Sequence, residues 1–117
     1  MSTAPELSVV LPTDSYETIA EVVRTWSAQS ASRSIELVIV APSAEPDGVE
    51  RPELAAFHDV TLVPSRPYPL PVARAAGIRA AAAPLVAIAE THSFPEPGCA
   101  EALIEAHRGP WAAVGPA

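Results

Sequence analysis

Ile35-Glu36-Leu37-Val38-Ile39-Val40, ended by Ala41-Pro42, is an almost unbroken apolar run with a single carboxylate in it. A half-buried strand would alternate apolar and polar residues. A continuous run of this length, rich in β-branched side chains and stopped by proline, reads as a strand buried on both faces of a parallel sheet. Three further segments read the same way. Leu7 to Leu11 ends at Pro12, Val60 to Val63 ends at Pro64, and Leu85 to Ala89 ends at Glu90. Trp111 to Val114, before Gly115-Pro116, reads as a fifth.

Helical signals lie between these runs. Asp14 or Ser15 is placed to cap a helix over about Glu17 to Ala28, with Ile19, Val22, Val23 and Trp26 recurring at helical spacing. Pro71 suits the first turn of an alanine-rich helix from about Val72 to Ala82, in which Gly77 signals close packing on the sheet. Pro97-Gly98 opens a third helix, with Leu103, Ile104 and His107 on one side and Gly109-Pro110 as its stop. Between Ser43 and Asp59, prolines and a glycine leave room only for a short helix near Glu53 to Phe57. Ser65 to Pro71 reads as an extended loop. Strands alternating with helices predict right-handed crossovers and an α/β fold: three layers, a mostly parallel sheet, helices on both faces.

Composition narrows the functions. The chain has 117 residues, a net charge of −7 and 49% hydrophobic residues, enough for a single core. All seven positive charges are arginine, and they form no cluster. An acidic chain without a basic patch is poorly suited to nucleic acid, whose binding rests on displaced counterions. Cys99 is the sole cysteine, which excludes an internal disulfide and a multi-cysteine zinc site. It reads as a small apolar core residue, as do Trp26 and Trp111. No apolar run is long enough to span a bilayer, and Met1 to Glu6 has none of the marks of a signal peptide. The expected location is cytoplasmic.

In open parallel sheets, ligands sit beyond the carboxyl ends of the strands, where strand order reverses. The residues following each strand are therefore the candidates. Thr13 and Asp14 follow the first strand and are suited either to hydrogen-bonding a nucleoside or to capping the helix behind them. Glu90, Thr91 and His92 follow the fourth. In an extended segment, Glu90 and His92 would point the same way and offer a carboxylate and an imidazole to Mn or Zn, less suitably to Mg. The alternative is a solvated Glu90 and a His92 bonded to a loop carbonyl. Arg74 stands in the first turn of the alanine-rich helix, a position for a diphosphate contact or for an ordinary surface ion pair.

Taken in order, these segments resemble the N-terminal half of family 2 (GT-A type) inverting glycosyltransferases. Ser8-Val9-Val10-Leu11-Pro12-Thr13 is similar to that family's opening strand, and Gln29 matches its usual glutamine. Glu36 to Val40 resembles its second strand. Ala73-Arg74-Ala75-Ala76-Gly77-Ile78 resembles its Ala-Arg-Asn-x-Gly pattern, and Leu85 to Ala89 the strand leading to its Asp-x-Asp site. Pro95 to Ala106 resembles the helix that follows. The resemblance implies a GT-A, Rossmann-like half-domain that binds a nucleotide-diphospho-sugar donor. Thr13 and Asp14 would border base and ribose, Ser43 would stand where the family reads the base, and Arg74 would meet the nucleotide. Glu90 to His92 would meet the diphosphate and a divalent cation, Mn or Mg.

Three departures accompany the match. Ala41-Pro42-Ser43-Ala44 has no carboxylate where the family carries one, Ala75 replaces its asparagine, and Glu90-Thr91-His92 replaces Asp-x-Asp. The family's acceptor half and catalytic base lie beyond the strand expected at Val114, and no residue before Ala117 suits a general base. The expectation is a donor-binding domain lacking the acceptor half. The competing reading is a non-catalytic accessory module that keeps the fold and self-associates as a homodimer.

Overall fold

The structure, a computed structural model, describes residues 4–42 and 51–108. Its elements run β1 (Leu7–Pro12), α1 (Tyr16–Ser27), β2 (Ile35–Ala41), β3 (Asp59–Pro64), α2 (Leu70–Ala80), β4 (Leu85–Ile88) and α3 (Cys99–Ala106). Short 3₁₀ turns at Ser32–Ser34 and Pro52–Ala56 lead into β2 and β3. The four strands form one parallel sheet in the order β3-β2-β1-β4. The expected strand at Trp111 to Val114 lies outside the described residues.

Strand burial follows position in the sheet. Central β1 and β2 are buried along their whole length, as their continuous apolar runs require. The outer strands depart from the expectation of burial on both faces. In β3 and β4 burial alternates, and Leu62, Val86 and Ile88 are exposed. A short apolar run reads alike in the centre and at the edge of a sheet, because the difference is made by neighbours remote in sequence.

Two apolar layers sandwich the sheet. On one face, Val9, Leu11, Leu37 and Ile39 pack with Ile19, Val22, Val23 and Trp26 of α1 and Ala100 and Ile104 of α3. On the other, Val10, Val38 and Val40 pack with Ala73 of α2. Each fully buried aliphatic side chain contributes roughly 1.5–3 kcal/mol. Gly77 permits this close approach: a methyl there would run into Val10 Cγ1 and come within 3.0 Å of Val40 Cγ2.

The helix ends have local causes. Ser15, in extended conformation, is the N-cap of α1, its hydroxyl accepting from the Thr18 N–H at 3.4 Å. Pro71 lies in the first turn of α2, which starts at Leu70 rather than at the expected Val72. That helix stops at Ala80, before the expected Ala82: Ala81 N–H still reaches the Ile78 carbonyl, and the two N–H groups after it turn to side chains of the sheet. Ala82 N–H donates to Glu36 Oε1 at 2.8 Å, and Ala83 N–H to Ser8 Oγ at 3.1 Å. In α3, Gly98 at φ 85° has no side chain to cap with. Gln29 acts instead, accepting from Ala100 N–H at 2.9 Å and donating Nε2–H to the Glu96 carbonyl at 2.8 Å. The buried side of α3 is Ala100 and Ile104; Leu103 and His107 are only partly covered. His107 closes this helix with Nδ1 2.9 Å from the Leu103 carbonyl oxygen. The Tyr68–Pro69 peptide is cis.

Candidate functional site

From β1 the chain moves outward to β2 and then β3, and α2 carries it back to β4 on the other side of β1. Strand order thus reverses between β1 and β4, and at such a point the departing loops separate and leave a crevice. A cleft of about 300 Å³ lies there, lined by Pro12, Thr13 and Asp14 from β1, Glu90 and His92 from β4, and Tyr68 and Arg74 from the segment leading into and through α2. Its volume sits at the lower end of the range for small-molecule sites. A larger groove of about 1020 Å³ runs along β4 past Val86, Ile88 and Phe94. It is walled by β4, the segment after it and the start of α3, and it touches neither Asp14 nor Arg74, whereas the smaller cleft brings together side chains from three separate parts of the chain.

Thr13, Asp14, Arg74, Glu90 and His92 therefore share one cleft, although they come from three separate parts of the sequence. Ser43 lies outside the described residues. Thr13 is buried and occupied locally: its hydroxyl donates to the Ser15 carbonyl at 2.7 Å and lies 3.3 Å from the Ser15 N–H. Asp14 is exposed and accepts one hydrogen bond, from the Thr18 hydroxyl at 2.9 Å, so its carboxylate keeps acceptor sites for a ligand. Thr13 and Ser15 thus hold the turn while Asp14 faces the opening.

Arg74 is the cation of the cleft, and because α2 starts at Leu70 it stands just past the first turn in which the sequence placed it. Its guanidinium lies 3.7 Å from Glu90 Oε1, with side chains 33% and 63% exposed. A pair this open contributes little to stability. Arg74 Nε is buried and has no hydrogen-bond partner among the described residues. A guanidinium carries five N–H donors in a fixed fork, so one partly exposed carboxylate at long range leaves most of them available.

Glu90 and His92 do not lie on an extended segment. Ser93 N–H donates to the Glu90 carbonyl at 3.3 Å, folding residues 90–93 into a turn, so the strand-like argument for a shared direction does not apply to them. Among the described residues, no group of three or more His, Cys, Asp and Glu side chains is arranged to hold a metal ion. Glu90 and His92 would thus need oxygen donors from a bound ligand to complete a coordination shell, the usual situation for Mg²⁺ beside phosphates. Cys99 is partly buried at the start of α3; burial pushes its thiol pKa up, as does the charge of Glu96, so it stays protonated.

Two residues important to this geometry are not singled out as site residues by the sequence. Tyr68 stands at the mouth of the cleft, 74% exposed. Glu36, read only as part of a strand, is buried with three donors on its carboxylate. A carboxylate inside an otherwise apolar strand was the available signal for Glu36. For Tyr68 it was an aromatic in a loop between two prolines.

No protein-family model matches the chain, and no curated protein matches it in sequence. Solved structures do. The chain is similar to the crystal structure of S. aureus TarS 1-349, at a TM-score of 0.65 and 16% identity, over 88% of its own length and 33% of that chain. A second structure, of S. aureus TarS, matches at a TM-score of 0.63 and 16% identity, over 88% of this chain and 20% of the other. The chain thus spans a third or less of these two structures. Among the described residues no helix is long and apolar enough to cross a membrane. The element order, the parallel sheet and these neighbours agree on the fold: the chain is an α/β unit of GT-A, Rossmann-like type.

Proposed function

We propose that the chain is the donor-binding portion of a family 2-like glycosyltransferase and takes a nucleotide-diphospho-sugar into the cleft between β1 and β4. The observation that carries this reading is Arg74, a guanidinium at the reversal point of a parallel sheet with a buried Nε donor left unpaired among the described residues. A phosphate offers several anionic oxygens, two of which can accept side by side from the planar guanidinium. Asp14, open on the opposite wall, would accept from ribose hydroxyls or the base, with Thr13 holding the turn beneath it. Ser43 would contribute to the base side.

Glu90, freed from Arg74 when phosphate takes its place, would face the diphosphate with His92 nearby. A divalent cation, Mn²⁺ or Mg²⁺, fits there only together with the ligand's own oxygens, and it would neutralise the leaving diphosphate. Glycosyl transfer also needs a general base on the acceptor. No residue of the cleft is assigned that role, so the proposal is confined to donor binding.

Calorimetric titration with UDP-, GDP- and TDP-sugars, with and without Mn²⁺, tests the reading. At least one should bind, and Arg74→Ala should weaken it about tenfold or more, the scale of a lost charge-assisted hydrogen bond. Mn²⁺ should bind measurably only when the nucleotide is present. Absence of binding at millimolar ligand overturns the proposal.

A further inference from the structure

We infer that Tyr68 is the platform on which the nucleobase of the bound nucleotide stacks, an assignment that rests on the donor-binding reading above. The chain is poor in aromatics, with two each of Phe, Trp and Tyr. Those that the structure describes are mostly committed. Trp26 and Phe57 are buried in the core. Tyr16 donates its hydroxyl to Glu53 at 2.6 Å and carries the Arg51 guanidinium 3.8 Å above its ring. Phe94 is exposed but lines the groove along β4. Tyr68 alone among the described aromatics lines the cleft with Arg74.

Tyr68 presents an uncovered aromatic surface at the cleft. A tyrosine ring carries some 150–250 Å² of largely apolar surface, and here 74% of the residue is open to water. Pro67 and Pro69 flank it, and their rings fix φ on both sides, so the backbone bearing the aromatic has little freedom left to lose on binding. An exposed aromatic on a stiff backbone, beside a cation with unused donors, suits a ligand with a flat face and an anionic end. A nucleotide has both. With its phosphates on Arg74, inside α2, its base would reach back over the residues that precede the helix, where Tyr68 stands.

Base stacking on an aromatic is tolerant of base identity and weakens severalfold to a hundredfold or so on truncation to alanine. Tyr68→Ala should therefore weaken UDP binding about tenfold or more, while Tyr68→Phe should stay within about twofold of the parent. Inorganic pyrophosphate, which has no base, should bind the parent and Tyr68→Ala equally but lose affinity in Arg74→Ala. A UDP affinity unchanged in Tyr68→Ala overturns the assignment and leaves donor binding standing. So does a loss confined to UDP-sugars with UDP itself unaffected, which would place the sugar on the ring, or an equal loss for pyrophosphate, which would make Tyr68 structural. Failure of the parent chain to bind any of these ligands overturns both readings.

Discussion

Among the described residues, Glu36 is the buried side chain with the most side-chain hydrogen bonds. Its Oε1 accepts from the Ser8 hydroxyl at 2.6 Å and from Ala82 N–H at 2.8 Å, and its Oε2 from the Thr61 hydroxyl at 2.7 Å. One side chain thereby ties together β1, β2, β3 and the loop after α2. Burial alone would raise its pKa, but the Ala82 N–H, the Ser8 and Thr61 hydroxyls and the charge of His58 together outweigh it and hold the carboxyl below its ordinary 4.5. A carboxylate with a depressed native pKa adds stability that is present above its unfolded value and lost as pH falls through the native one. Glu36→Gln keeps the volume but turns one acceptor into a donor, so it should cost about 1–3 kcal/mol in urea unfolding at pH 7. Below pH 4.5 the parent is progressively protonated and the gap between the two proteins should narrow. A gap that stays constant down to pH 3 would show that the charge itself adds nothing.

At the scale of elements, the seating of α2 on the sheet decides where Arg74 stands. Gly77 is at odds with its own helix, where alanine would be favoured by about 1 kcal/mol. Packing reverses that preference. Val10 is fully buried in central β1 and branched at Cβ, so it cannot swing aside for an added methyl. Gly77→Ala should therefore lower stability by about 1–3 kcal/mol through overpacking, read as a lower urea midpoint at unchanged slope. A rise in midpoint would mean that the helix shifts outward at no cost. Gly77 was legible in the sequence, as were the strand cores, a cap at Asp14 or Ser15 and the proline in the first turn of α2, because each is written in neighbouring residues. The partnership of Gln29 with α3 and of Glu36 with the Ala82 loop was not. These bonds join residues 71 and 46 positions apart, and no local pattern marks them. The cleft was legible in part: residues following strands are found by rule, but Tyr68 precedes a helix and enters the site only because α2 crosses back to β4.

For the whole molecule, the strand order β3-β2-β1-β4 sets a gradient of stability with functional consequences. Strands β1 and β2 have a partner on each side and no exposed face, whereas among the described residues β3 and β4 are hydrogen-bonded on one side only and half open. Opening free energies follow buried apolar contacts and ladder bonds, so amide exchange should be slowest in β1 and β2 and faster in β4. The proposed ligand cleft lies across this gradient. One wall, Pro12 to Asp14, is anchored to a central strand by the hydrogen bond from Thr13 N–H to the Val40 carbonyl at 2.8 Å. The other, Glu90 to His92, hangs on β4 by Ala89 N–H to the Val10 carbonyl at 2.9 Å. A ligand bridging the walls stabilises most what opens most easily without it. Saturating UDP should thus raise exchange protection chiefly in residues 66–74 and 85–92, with little change in residues 7–12. Protection confined to the first wall would mean that the ligand sits on β1 and α1 alone, and Arg74 would then lose its place in the site.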